Sequence, residues 1–379
     1  MPPLLKRPGL SAILDALMPA LAVLAALLVG AIMLVALSAN PLEAYGALLQ
    51  GAFGSVNALA ETAVKATPLL LVGLGICISF RANVVNIGGE GQMVVGALCA
   101  VIFILSFPNL PRAVLLPAVL LVGFLAGGVW GGIPGALKAY ANVNEILSTI
   151  MLNIVAVQGM NFLLRGALID PAEIEAGTRI PQTMRLAPAA DLPVLVPGTR
   201  LHAGVLLALL LAVVVYFFLW HTTIGYRIRA VGLNPDASRY AGINVKQYVV
   251  LALVLSGAFA GLAGAILVFG SESHRMVTDG SATGFTGSAG FNGIVAALFG
   301  GLHPIATIPA SFLFGALLVG ANKLQRAVQV PAALIGALNG LVVVFVVSTQ
   351  IWRRQLAQRR AMLEYEAPVV EPDAERSHA

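Results

Sequence analysis

Charge is what this chain has least of. Only 10% of its 379 residues are Asp, Glu, Lys or Arg, against about 25% in soluble domains. With 59% apolar residues, that balance excludes a water-soluble globule. Cysteine is nearly absent. Cys77 and Cys99 both lie in apolar runs, so they supply neither a disulfide framework nor metal-ligand spacing and read as small buried hydrophobes. Catalytic signatures are missing as well. No Gly-x-x-x-x-Gly-Lys-Ser/Thr run occurs, which excludes P-loop ATP binding by this chain. None of the five histidines is followed by glutamate, so there is no His-Glu-x-x-His zinc helix. No serine has glycine both two before and two after it, so there is no nucleophile elbow. No arginine ladder of the voltage-sensing kind is present. The chain reads as a non-enzyme with no cofactor.

Long apolar runs take the place of chemistry. A spanning helix needs about 20 apolar residues. Pro19 to Ser38 qualifies and is too long for a signal-peptide core, although cleavage at Ala36-Leu37-Ser38 is the alternative. Asn40-Pro41 breaks it, and a semi-polar stretch with Glu43, Glu61 and Lys65 follows. Pro68 to Phe80 is apolar but too short to span alone. Ala113 to Leu137, Ile146 to Leu164, Ala203 to Trp220, Gln247 to Gly270, Pro304 to Asn322 and Val330 to Trp352 are clear spans. Gly91 to Phe107 and Gly287 to Leu302 are Gly-rich and less regular. The fold class is therefore all-α and polytopic, with about ten spans in all. Glycines repeating every fourth residue, at Gly123/Gly127/Gly131/Gly135, Gly257/Gly261 and Gly336/Gly340, suit close helix packing.

The placement of positive charge sets orientation; it does not indicate nucleic-acid binding. Lys6, Arg7, Arg81, Lys138, the loop 221–246 and the tail residues Arg353, Arg354, Arg359 and Arg360 mark the cytoplasmic side. Residues 1–18 and 353–379 are then cytoplasmic, 19–352 form the transmembrane domain, and 166–200 form an outer loop; from Arg165 to Arg200 four acidic and four basic residues leave no net charge. Lys323 and Arg326 fall on the outer side, against the rule. Residues from Glu364 onward are polar enough to predict disorder.

The loop from His221 to Lys246 holds a short-helix signature. Asn234 suits an N-cap, Pro235 the first position, Asp236 the positive dipole end and Gly242 the stop. A capped helix over Pro235 to Ala241 on the cytoplasmic face could dock a soluble motor, or be an ordinary connection.

Two polar, Gly-rich turns feed apolar half-spans: Asn86-Ile-Gly-Gly-Glu-Gly-Gln-Met-Val-Val-Gly96 and Gly287-Ser-Ala-Gly-Phe-Asn-Gly-Ile-Val-Ala-Ala297. Such paired interruptions give a weak two-half pseudo-symmetry and point to a pathway, because unwound backbone survives in a membrane only where protein or a cavity covers it. Polar residues gather there. Asn83, Asn86, Glu90 and Gln92 mark the first turn and Asn292 the second, with Asn339 in the last span. Asn144, Glu145, Asn153, Gln158 and Asn161 run along the fifth span, where Asn153 and Asn161 share a face and Gln158 does not. Neutral amides donate and accept, which suits an uncharged polar ligand; interhelical hydrogen bonding is the alternative for each.

Several blocks together resemble the branched-chain amino acid/ribose-type permeases of ABC importers, and most closely their nucleoside-uptake branch. They are Phe80-Arg-Ala-Asn-Val-Val-Asn-Ile-Gly-Gly-Glu-Gly-Gln-Met93, Glu145-Ile-Leu-Ser-Thr-Ile-Met-Leu-Asn153, Gly225-Tyr-Arg-Ile-Arg-Ala-Val-Gly-Leu-Asn-Pro-Asp-Ala-Ser-Arg-Tyr-Ala-Gly-Ile243 and Gly290-Phe-Asn-Gly-Ile-Val-Ala-Ala-Leu-Phe-Gly-Gly-Leu-His-Pro304. The resemblance runs from about Pro68 to Phe345. Asn83 stands where the family commonly has glycine, adding a polar group near the pathway, and Val85 where it commonly has phenylalanine. The resemblance implies a bacterial inner-membrane permease working with a second permease, ATP-binding cassette subunits and an extracytoplasmic substrate-binding protein.

These readings combine into a permease that passes a neutral hydrogen-bonding solute, nucleosides before simple sugars, by alternating access. Gly225, Arg227, Arg229, Asn234, Pro235, Asp236 and Arg239 are expected to couple to the ATPase. Asn86, Glu90, Gln92, Asn153 and Asn292 are expected to line the path, with Phe291 available to stack on a base. An ion-coupled secondary transporter, using Glu90 or Glu145, is the alternative from another class.

Overall fold

The computed structural model describes residues 24–331 except 272, 282 and 283, together with 337, 340, 341, 344, 345 and 348. The chain divides into two units, Met1–Leu37 with Gly336–Ala379, and Ser38–Ile335. In the first, helix α1 runs Leu24–Ala36. Leu24, Leu28, Ile32 and Val35 form its exposed face, at helical spacing. The start of the first expected span, most of the last one with Asn339 and Gly336, and both terminal segments lie outside the described residues.

In the second unit the described residues form helices and two isolated bridges. The helices are α2 (Pro41–Phe53), α3 (Val56–Arg81), α4 (Gly89–Ser106), α5 (Arg112–Ala141), α6 (Glu145–Arg165), α7 (Pro171–Glu175), α8 (Gly204–His221), α9 (Thr223–Leu233), α10 (Pro235–Tyr240), α11 (Val245–Phe269), α12 (Ala289–Phe299) and α13 (Pro304–Val328). Seven of them, α3, α4, α5, α6, α8, α11 and α13, are long and apolar enough to cross a membrane.

Two sequence expectations change. The apolar stretch from Pro68 is not an isolated short piece, because α3 begins at Val56 and runs 26 residues. The Ser55 hydroxyl caps its start by accepting from the Ala58 amide at 3.1 Å. Glu61, which interrupts the apolar pattern, is paired with Arg200 at 3.1 Å. The second Gly-rich segment is also no full span. Ser288 turns the chain at φ 63° and α12 is only 11 residues long, about half the length needed to cross.

On α3 nearly every residue from Ala66 to Ser79 is buried, as expected for a helix apolar on all sides and central in its bundle. Helix α8 is more apolar still but buries one stripe, Gly204, Ala208, Ala212, Val215 and Leu219, and exposes Leu206, Leu210, Val213 and Phe217. A broad apolar outer face of that kind suits lipid. The repeated glycines set how closely α5 and α11 approach. A Cβ on Gly127 would stand 2.4 Å from the Gly257 carbonyl oxygen, and one on Gly261 2.2 Å from that of Gly123. Helix α4 joins the same seam, where a Cβ on Gly264 would meet the Met93 carbonyl at 2.0 Å.

The segment between α6 and α8 is stitched to the chain that follows α11. Thr183 and Leu186 donate backbone amides to the Met276 and His274 carbonyls at 3.0 and 2.8 Å. Arg275 pairs with Asp170 at 3.3 Å, and His274 with Asp191 at 2.9 Å.

Candidate functional site

The two interrupted segments meet. Helix α3 ends at Arg81, the chain runs irregularly to Gly88, and α4 starts at Gly89. The start of α12 lies against it, close enough that a Cβ on Gly290 would stand 2.5 Å from the Glu90 amide nitrogen. Glu90 is 2% exposed, and its Oε1 accepts from the Phe291 backbone amide at 3.1 Å. The Gly290 amide and the Thr286 hydroxyl lie beside the carboxyl. Two helix N-termini thus converge on one acidic side chain, a position that their partial positive charges favour.

Around this junction the amides bind one another. Asn86 Nδ2 donates to Gln92 Oε1 at 2.9 Å and to Ser256 Oγ at 2.8 Å. Its Oδ1 accepts from the Gly88 amide at 2.8 Å and from Gln92 Nε2 at 3.1 Å. From α6, Asn153 Oδ1 accepts the Gly91 amide at 2.8 Å and its Nδ2 donates to the Ile87 carbonyl at 2.9 Å. Asn153 therefore does for α4 what a capping side chain would do. Eight residues on, Asn161 donates to the Gly280 carbonyl at 3.2 Å and accepts from Thr278 Oγ1 at 3.0 Å, tying the same helix face to the chain that leads into α12. Gln158 faces outward, as its spacing implies.

Asn292 stands apart from this network. It is half-buried on the first turn of α12, next to Phe291, which is 42% exposed. Asn83 is also outside the network. It is exposed at φ 57° in the turn that follows α3. Asparagine is among the few residues that replace glycine in the left-handed region without large strain, which accounts for the departure from the family pattern. Glu145, at the start of α6, is paired with Lys138 at 2.9 Å.

The polar loop contains two helices rather than one. Thr222 Oγ1 accepts the Gly225 amide at 3.0 Å and starts α9. Asn234 ends α9, and its Oδ1 accepts the Asp236 and Ala237 amides, both at 3.0 Å, to start α10. Helix α10 closes at Tyr240, with Ala241 as C-cap and Gly242 at φ 78°. Asp236 and Arg239 are exposed and 3.6 Å apart. The other coupling candidates face inward or sideways. Gly225 is buried, and a Cβ there would meet the Phe218 carbonyl at 2.1 Å. Arg227 donates to the Tyr248 hydroxyl at 2.8 Å. Arg229 lies over the Trp220 ring at 5.7 Å, with Arg81 on the same ring at 5.1 Å.

Sequence reasoning missed three features here. Leu233 and Tyr240 are 87% and 95% exposed, seven positions apart on consecutive helices, a signal visible in the sequence. Gly232 seats α9 against the end of α3, where its Cβ would meet the Arg81 carbonyl at 2.0 Å. Arg81 Nη2 in turn donates to the Leu302 carbonyl in the turn between α12 and α13 at 3.3 Å, and His303 packs 5.1 Å from Trp220. One aromatic and cationic cluster thus joins α9 to both elements that frame the interrupted segments.

The model of the branched-chain amino acid transport system/permease component family matches residues 58–347. The chain belongs to that permease family. It is 35% identical over 333 residues to the guanosine ABC transporter permease protein NupP of Bacillus subtilis, covering 88% of this chain and 93% of that one. It is 35% identical over 347 residues to a glucose ABC transporter permease protein of Haloferax volcanii, covering 89% and 88%. The nucleoside ABC transporter permease protein NupB of Lactococcus lactis is 31% identical over 356 residues, covering 93% and 96%. No solved structure matches. The protein is a multi-pass membrane permease.

Proposed function

We propose that this permease carries nucleosides inward across a bacterial inner membrane as one of two permease subunits, driven by ATP hydrolysis on separate cassette subunits and fed by an extracytoplasmic binding protein. The α9–α10 pair carries the coupling part of the proposal. It is a rigid, doubly capped surface whose Leu233 and Tyr240 are bare, and exposed apolar patches mark interaction sites. Asn234, Pro235, Asp236 and Arg239 would contact the ATPase, while Gly225, Arg227 and Arg229 position the pair against α8 and α11. Motion of α9 passes through Gly232 and Trp220 to the end of α3 and the α12–α13 turn. Both termini are then cytoplasmic and residues 166–200 outside, where their stitching to 274–277 offers the binding protein a firm platform.

In this scheme Asn292 and Phe291 touch the solute, and Asn86, Glu90, Gln92 and Asn153 hold the wall behind them. An exposed aromatic favours a ligand with a flat face. The nucleoside relatives support that ligand; the glucose relative is the observation that favours a simple sugar instead.

ATP hydrolysis by the reconstituted complex, titrated with binding protein carrying purine nucleosides, pyrimidine nucleosides, pentose or glucose, tests both parts. Stimulation by a nucleoside is expected. Stimulation by a sugar alone overturns the substrate, and uptake that follows the proton gradient at constant ATP overturns the ATP-driven mechanism. Asp236→Lys is expected to insert normally and to lower ligand-stimulated hydrolysis about tenfold, as loss of an interface contact does; normal coupling by that variant removes α10 from the docking surface.

A further inference from the structure

Lys323 and Arg326 stand against the charge pattern that orients the chain, and the transport scheme gives them no task. They lie in the last turns of α13, at the end opposite the turn that meets Arg81. Together with Lys65 of α3 and Arg200 before α8, they line a cavity of about 730 Å³. Four cations share it with a single carboxylate, Glu61, which is 3.1 Å from Arg200. A second cavity of about 380 Å³ shares Glu61, Lys65 and Arg200, so the basic surface continues from one to the next. Like charges gathered at one place repel one another, and a bound anion relieves that repulsion.

The surroundings of the cavity define the anion further. Ser55 and Ala58 belong to its lining, and their neighbours Phe53, Val56 and Leu59 are exposed. Exposed apolar side chains therefore adjoin the lining residues of a basic pocket, at the ends of helices long enough to cross a membrane. A ligand matching both is amphiphilic, with a negative head and apolar chains. Basic residues at helix ends attract anionic headgroups, each contributing a factor of several in affinity. An acidic protein surface would satisfy the charges but not the apolar rim.

We propose that the Lys65–Arg200–Lys323–Arg326 pocket binds the headgroup of an anionic phospholipid. Native mass spectrometry of the assembled transporter, loaded with phosphatidylglycerol or phosphatidylcholine and then stripped with mild detergent, tests this. Retained phosphatidylglycerol in excess over phosphatidylcholine is expected, and Lys65→Gln/Lys323→Gln/Arg326→Gln should lower its retention by on the order of 100-fold. If that variant fails to assemble, Lys323→Gln alone, at an exposed position, should still weaken retention about fivefold. Equal retention of both lipids, or unchanged retention in the variants, overturns the proposal. Displacement of the lipid by millimolar inorganic phosphate alone would assign the pocket to free anions and overturn the lipid as its source. Loss of binding-protein docking in the triple variant with lipid retention unchanged would assign the surface to that protein instead.

Discussion

The two helix starts that look alike in sequence are held very differently. At the start of α4, Asn86 makes four hydrogen bonds and Asn153 two, all within the chain. At the start of α12, Glu90 Oε1 accepts the Phe291 amide, with the Gly290 amide beside the same carboxyl, and the Ser288 hydroxyl makes no capping bond. One start is an anchor whose side-chain amides, Asn86, Gln92 and Asn153, are bonded within the chain. The other leans on it and leaves Asn292 and Phe291 open. In the proposed transport scheme, the α4 start would be the fixed wall and the α12 start the one that meets the ligand. Pseudo-symmetry in the sequence therefore conceals a difference in bonding between the two starts.

The largest expected effect breaks the anchor. Asn86→Leu leaves the Gln92 amide, the Ser256 hydroxyl and the Gly88 amide short of partners at a buried position, and should cost about 3 kcal/mol, read as a lower melting temperature of the detergent-solubilised complex. Next comes the seam between the two starts. The Cβ of Gly290→Ala would be forced against Glu90, 2.5 Å from its nitrogen and 2.9 Å from its carboxyl carbon; about 1–3 kcal/mol of destabilisation is expected, with uptake lost in the folded fraction. The open wall should respond in the opposite sense. Asn292→Leu and Phe291→Ala should leave stability within about 0.5 kcal/mol while uptake falls about tenfold, the equivalent of one good contact to the ligand. A melting shift as large as that of Asn86→Leu would erase the distinction. Smallest is Asn83→Gly, which keeps the left-handed turn. Stability should move by less than about 1 kcal/mol and the ranking of competing solutes in uptake assays should not change; a changed ranking would return Asn83 to the pathway.

Much of this was legible in the sequence, and the reasons for the misses are physical. Runs such as Ala203 to Trp220 announce their helices by length alone. The Asn234-Pro235-Asp236 cap reads directly, because capping is a local interaction. The extent of α3 was hidden because Glu61 and Lys65 interrupt its apolar pattern, and the partner of Glu61, Arg200, is far away in sequence. Helix α9 was hidden because Thr223–Leu233 contains two glycines and β-branched residues of low helix propensity. Those same glycines, Gly225 and Gly232, let it pack on α8 and α3, and packing overrides propensity. The polar residues of the junction were found by type, since amides in an apolar chain stand out. Their roles were not, because Ser256 and Asn153 reach Asn86 and Gly91 across 170 and 62 positions.

Hydrogen–deuterium exchange on the unmodified transporter, compared between its nucleotide-free and ATP-trapped states, tests the central asymmetry most directly. The amides of residues 286–293 are predicted to change protection between the states, while those of 86–93 stay slow in both, because local opening follows the density of buried bonds. Equal changes at the two starts, or a change confined to 86–93, would contradict the account of a fixed α4 wall and a moving α12 wall.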